Sequence, residues 1–191
     1  MLREQAKRFK DAPLVEVQSL LKSPFHEERL CALLLLAQKF SQSNPAHQKA
    51  IYELYLNNTR YINNWDLVDL SAYWIVGAWL MDKDRQPLYT LAHSKSLWER
   101  RIAIIATFHF IKDRQFADTL AIAALLLTDR EDLMHKAVGW MLREVGKRDL
   151  TQEIEFLNAH YRQMPRTMLR YAIEKFPENE RLKYLKGLVA S

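Results

Sequence analysis

Lys136, Trp140, Arg143 and Lys147 stand at i, i+4, i+7 and i+11. On a helix that spacing puts all four on one stripe. Val138, Met141, Leu142 and Val145 fall on the other sides, where they can pack. A tryptophan inside a cationic stripe suits a sugar–phosphate backbone, with cations meeting phosphates and the indole covering sugar or base edges. A core tryptophan beside solvated charges fits the same spacing.

Two further segments pair aromatic with charged residues. In Asn63-Asn64-Trp65-Asp66-Leu67-Val68-Asp69, Asn64 is a natural N-cap. Asp66 then falls in the first turn, where the helix dipole favours a carboxylate. Asp69 has no such explanation: it is expected past the unpaired amides, in a helix interior that disfavours aspartate. It lies i+4 from Trp65 and shares its face, although a solvated aspartate is the ordinary alternative. In Leu97-Trp98-Glu99-Arg100-Arg101, Arg101 is i+3 from Trp98, and Arg166 and Arg170 form an i, i+4 basic pair.

An aspartate facing a polyanion is unfavourable unless positive charge meets it. An N3- or N7-alkylated purine carries that charge, and so does the oxocarbenium-like sugar formed as an N-glycosidic bond breaks. The carboxylate would stabilise that charge and position a water for attack on C1′. Alkylated purines depart neutral, so one carboxylate suffices without a leaving-group acid. The tryptophans would hold the lesion's backbone by apolar and cation–π contact. The competing function is a non-catalytic scaffold that binds DNA or a protein.

Other chemistries lack their residues. The six histidines are scattered, with no HExxH or Cys/His pattern, and no Gly-rich phosphate loop or GxSxG elbow occurs. Neither metal nor cofactor is expected. The single cysteine, Cys31, lies in an apolar run and reads as a core residue in a reducing compartment; an iron–sulfur cluster is excluded. With 28 Lys+Arg against 23 Asp+Glu, the net charge of +5 permits a polyanionic partner. No apolar run reaches the ~20 residues that span a bilayer, so no membrane association is expected. The expectation is a soluble, cytoplasmic monomer.

The elements that must position these residues are helices. Only 4 Gly and 6 Pro interrupt 191 residues that are 49% hydrophobic. The periodicity predicts helices near 2–10, 14–22, 25–42, 46–58, 64–81, 84–92, 96–112, 115–127, 131–146, 150–162, 166–175 and 178–189, with Pro13, Pro24, Pro45 and Pro165 at starts. Apolar helices recur near 25, 64, 96, 131 and 166, close to a HEAT-like period. Near their N-terminal ends stand Arg29, Asp69, Arg100–Arg101, Lys136 and Arg170. The expected fold is all-α, a single domain over 1–191, in which HEAT-like repeats stack into a right-handed α-α superhelix with a concave basic groove.

These residues resemble the AlkD-type family of DNA alkylation repair enzymes, alkylpurine DNA glycosylases built of HEAT-like repeats. The resemblance is carried by Asn64-Trp65-Asp66-Leu67-Val68-Asp69, Trp98 through Ile104, Lys136 through Glu144, and Pro165 through Ile173, within about 25–178. It implies that Asp69 is the catalytic carboxylate and Arg101 the catalytic-site cation. Trp65 and Trp140 would line the groove and Arg143 would contact the DNA backbone. With the pairings above, Trp98, Lys136, Lys147, Arg166 and Arg170 complete the expected DNA-binding set. The implied activity is hydrolytic excision of positively charged 3- and 7-alkylpurines, such as 3-methyladenine and 7-methylguanine, from double-stranded DNA in base excision repair, without metal or cofactor. The family usually carries further N-terminal helices, so the expectation is either that the start has been lost or that this is a shortened member. A shallow groove leaves little room for a flipped base, and recognition within the stack is expected.

Overall fold

The computed structural model describes Glu4 and residues 8–189. The helix expected over 2–10 lies largely outside the described residues. Every regular element among the described residues is helical. The chain forms two compact units, one ending at Asp84 and the other beginning at Arg85.

The first unit holds α1 (Leu14–Leu21), α2 (His26–Gln42), α3 (Pro45–Leu56), α4 (Trp65–Asp69), a π-helical turn at Tyr73–Gly77 and α5 (Ala78–Leu80). Local chemistry sets the starts. Pro13 precedes α1, Pro45 is the first residue of α3 with the Asn44 side chain accepting the His47 amide, and Asn64 caps α4. The apolar run of α2 buries Leu33, Leu36 and Phe40, against which α1, α3, α4 and the π turn pack. Ile51, Tyr55, Leu67, Val68 and Ile75 complete this core.

The second unit holds α6 (Gln86–Ala92), α7 (Leu97–Ala106), α8 (Phe108–Lys112), α9 (Ala117–Leu125), α10 (Asp132–Gly146), α11 (Leu150–His160), α12 (Arg166–Ala172) and α13 (Glu178–Lys186). Its centre is α10, which buries Met134, Ala137, Val138, Met141, Leu142 and Val145 and packs against α7, α11 and, most extensively, α12. Gly139 permits the α10–α12 approach: a Cβ there would lie 2.4 Å from the Met168 carbonyl oxygen and 2.6 Å from Tyr171 Cβ. Helices α7, α10 and α12 pack side by side in chain order.

Two helices expected as single runs are interrupted. The run over 64–81 breaks at Leu70–Ser71, and that over 96–112 breaks at Thr107. Asp69, expected inside a helix, is the last residue of one.

Candidate functional site

Helix starts at His26, Trp65, Leu97, Asp132 and Arg166 sort the row of N-terminal charges into two sets. Asp69, Arg101, Lys136 and Arg170 each lie four residues after the first helical residue and are equivalent. Arg29 and Arg100 lie three residues after it and do a different job. Arg29 Nη1 donates to the carbonyls of Ser23 and Pro24, both at 3.0 Å. Arg100 Nη1 donates to those of Ser94 and Lys95, also at 3.0 Å. His135, at the same position of α10, bonds the Asp129 carbonyl at 2.6 Å. These three residues cap the loop before their helix. Arg100 also holds Asp129 through Nε at 2.6 Å. The expectation that Arg29 belongs with Asp69 is corrected by one residue of register.

In the first unit the site is α4. Trp65 is 53% exposed, and Asp69 is half-buried at the helix end. Asp66, assigned to the helix dipole alone, has more partners than that: it accepts the Leu67 amide at 2.9 Å and pairs with His26 Nε2 at 2.7 Å. Arg29 reaches Asn63 at 3.4 Å, so α2 grips the approach to α4. At the far end Tyr55 Oη and Ser71 Oγ meet at 2.9 Å in a fully buried pair. Tyr73 and Trp74, their rings 4.8 Å apart, follow in the π turn, and Trp74 is 44% exposed. His26, Tyr55, Ser71 and Trp74 escaped the sequence reasoning. A helix interrupted within ten residues of a tryptophan–aspartate pair leaves no periodic signal, since π turns share the apolar pattern of the helix around them.

In the second unit Arg101 is buried, its guanidinium donating to the Leu133 carbonyl. Trp98 is half-buried. Lys136 pairs with Asp132 at 2.7 Å, and that bond holds the lysine above its usual range and the aspartate below it. Trp140 donates to Glu144 at 3.2 Å and lies against Phe108. Arg143 is engaged with Glu174. Lys147 and Arg148 bond Glu144 at 2.6 and 3.0 Å. Burial favours the neutral form of Glu144, yet these two cations hold its carboxyl below the usual range. Arg166 is exposed and donates to the Leu185 carbonyl at 2.5 Å. Arg170 is exposed and makes no ion pair among the described residues.

The sequence reasoning also missed Phe108, Lys112 and Arg148. Lys112 Nζ lies 4.8 Å and Arg148 Cζ 5.7 Å from the Phe108 ring centroid. The signal was present: Lys112 follows Arg101 by the same eleven residues that separate Lys147 from Lys136. Burial, then the charge of Arg148, lowers the Lys112 ammonium below its usual range.

Among the described residues no group of three or more His, Cys, Asp or Glu side chains is placed to hold a metal ion. No helix among them is long and apolar enough to cross a membrane.

The sequence profile of the family described as DNA alkylation repair enzyme matches residues 1–176. The fold is similar to that of a solved structure described as a predicted DNA alkylation repair enzyme from Enterococcus faecalis. The TM-score is 0.70 at 17% identity, covering 92% of this chain and 82% of that one. No curated protein matches the chain.

Proposed function

The chain belongs to the DNA alkylation repair enzyme family, and on that premise we propose that it is a DNA glycosylase. It excises positively charged 3- and 7-alkylpurines, such as 3-methyladenine and 7-methylguanine, from double-stranded DNA. The scaffold is one array of HEAT-like repeats over 1–191, wound as a right-handed α-α superhelix with a basic concave groove. The carrying observation is that Asp69 occupies the helical position held by Arg101, Lys136 and Arg170 in the other repeats, four residues beyond an exposed tryptophan.

Asp69 is the catalytic carboxylate, stabilising positive charge on the departing purine and on C1′ and orienting the attacking water. Arg101 is the catalytic-site cation. Trp65, Trp98 and Trp140 supply apolar faces for sugars and bases. Lys136, Lys147, Arg166 and Arg170 meet phosphates. Arg143, engaged with Glu174, reaches a phosphate only by exchanging that partner. The reaction uses neither metal nor cofactor, and the protein acts as a monomer.

The test is incubation with duplex DNA containing 7-methylguanine in EDTA, measuring free base and abasic sites. Wild type releases base, and Asp69→Asn slows single-turnover release by about 10²–10³-fold while still binding duplex. Wild-type protein that saturates the duplex and releases nothing overturns the proposal in favour of a non-catalytic scaffold.

A further inference from the structure

We propose that Tyr55 and Ser71 are positioning residues for Asp69: a buried two-hydroxyl chain that fixes where its helix stops and so where its carboxylate points. This inference rests on the reading of Asp69 given above.

In an uninterrupted α-helix the Leu67 carbonyl would accept the Ser71 amide. Here the Ser71 amide goes instead to the Val68 carbonyl at 3.1 Å, while Leu70 still reaches Asp66 at 3.1 Å. The Leu67 carbonyl takes the Ser71 hydroxyl, at 2.5 Å. A carbonyl only accepts, so the single Ser71 hydroxyl proton is committed to Leu67. The Ser71 oxygen then accepts from the Tyr55 hydroxyl, 2.9 Å away. The direction is therefore settled: Tyr55 O–H to Ser71 O–H to Leu67 C=O. All three residues are fully buried, so solvent offers no substitute partner.

The chain sits at the point where the backbone changes course. Asp69 is the last residue of α4, and the Ser71 carbonyl accepts the amides of Trp74 and Ile75 at 3.2 and 3.0 Å, starting the π turn. Asp69 also acts on the tyrosine. Burial, reinforced by the charge of Asp69, pushes the Tyr55 hydroxyl far above its usual range. It thus stays a donor wherever the protein is folded. Losing the Ser71 hydroxyl frees the Leu67 carbonyl for the Ser71 amide, which would extend the helix past Asp69 and turn its carboxylate. Losing the Tyr55 hydroxyl leaves the buried Ser71 oxygen without its donor, so Ser71 is no longer anchored and the helix stop loosens.

The experiment is single-turnover base release from 7-methylguanine duplex at saturating protein. It compares wild type, Tyr55→Phe and Ser71→Ala, each also in an Asp69→Asn background, with duplex affinity and thermal midpoint measured in parallel. Tyr55→Phe keeps the ring and removes only the donor, so it covers the case in which Ser71→Ala fails to fold. Release is expected to slow by about 10–10²-fold with duplex affinity unchanged, because small misplacements of a reacting group cost that much. In the Asp69→Asn background Tyr55→Phe adds no further loss, which a merely structural role would not produce. Folded Tyr55→Phe releasing base at the wild-type rate, or an additive loss in the double variant, overturns the inference alone. Wild type releasing no base overturns the Asp69 reading and this inference with it.

Discussion

The two units treat the same helical position in opposite ways. In the first, Asp69 ends a five-residue helix held from outside: His26 and Arg29 at one end, Tyr55 through Ser71 at the other. In the second, Lys136 sits early in a helix of 15 residues with a continuous buried face, and its neighbours are ion-paired along its length. A short helix owes its geometry to tertiary partners, because so few turns cannot hold themselves. A long amphipathic one is held by its own packing. The carboxylate is thus tuned by a few hydrogen bonds, and the cations are mounted on a rigid platform. On that contrast, changes to the platform are expected to alter stability without touching chemistry.

The largest effect on the platform's stability is expected at Glu153 in α11. Its side chain is 2% exposed and Oε1 has no partner among the described residues. Gly146 admits the carboxyl, since a Cβ there would lie on top of Oε2. Burial pushes Glu153 up to about 8, with Arg143 pulling the other way. The folded protein therefore keeps a proton that the unfolded chain, with its ordinary value of 4.5, gives up. The folded state binds more protons, so stability is fullest below about 4.5, falls as pH rises and is lost through about 8. Glu153→Gln removes this dependence and raises stability at pH 8, with a ceiling of ~5 kcal/mol at 1.36 kcal/mol per pKa unit. Thermal unfolding at pH 5 and pH 8 measures it. Parallel curves for the two proteins would show a carboxyl already ionised in the fold and would weaken the contrast between units.

The platform was the more legible half. Apolar spacing locates both ends of α10 to within one residue, and Pro165 with the same spacing locates the start of α12, because those helices are stabilised by the stripe that the sequence displays. The 64–81 run keeps a helical apolar pattern from end to end and gives no sign of its break. That break depends on Tyr55, ten or more residues distant, meeting a serine in the core. The row of charges is visible in the sequence, but Arg29 stands one residue out of the register that Asp69 shares with Arg101, Lys136 and Arg170. A guanidinium that caps a loop and one that faces a ligand differ by a single residue of register, and only the loop carbonyls distinguish them. The pairing of Arg143 with Glu174 was equally hidden, as the two are 31 residues apart.

Gly139→Ala is the next test of the platform. The added methyl meets the Met168 carbonyl and Tyr171 Cβ, neither the flexible end of a side chain, so α10 and α12 must separate. The expected cost is about 1–3 kcal/mol of stability, seen as a lower denaturation midpoint. Base release per folded molecule stays at the wild-type rate. A matching loss of release would mean that chemistry depends on α10–α12 spacing, and the division of labour would have to be redrawn.

The smallest effect separates the cations from one another. Lys136, Arg143 and Lys147 are ion-paired within the protein, so a phosphate gains only the difference between itself and a carboxylate. Arg170 is exposed and makes no ion pair among the described residues, so a phosphate that meets it releases a counterion at full value. Arg170→Gln should therefore lower the slope of log K against log salt by about 0.9 for undamaged duplex. Replacing Arg143 should move the thermal midpoint and leave that slope nearly unchanged. The two variants need only duplex titrations at several salt concentrations. Equal slope changes would mean that Glu174 yields Arg143 to DNA at no cost, and the platform would then be looser than its ion pairs imply.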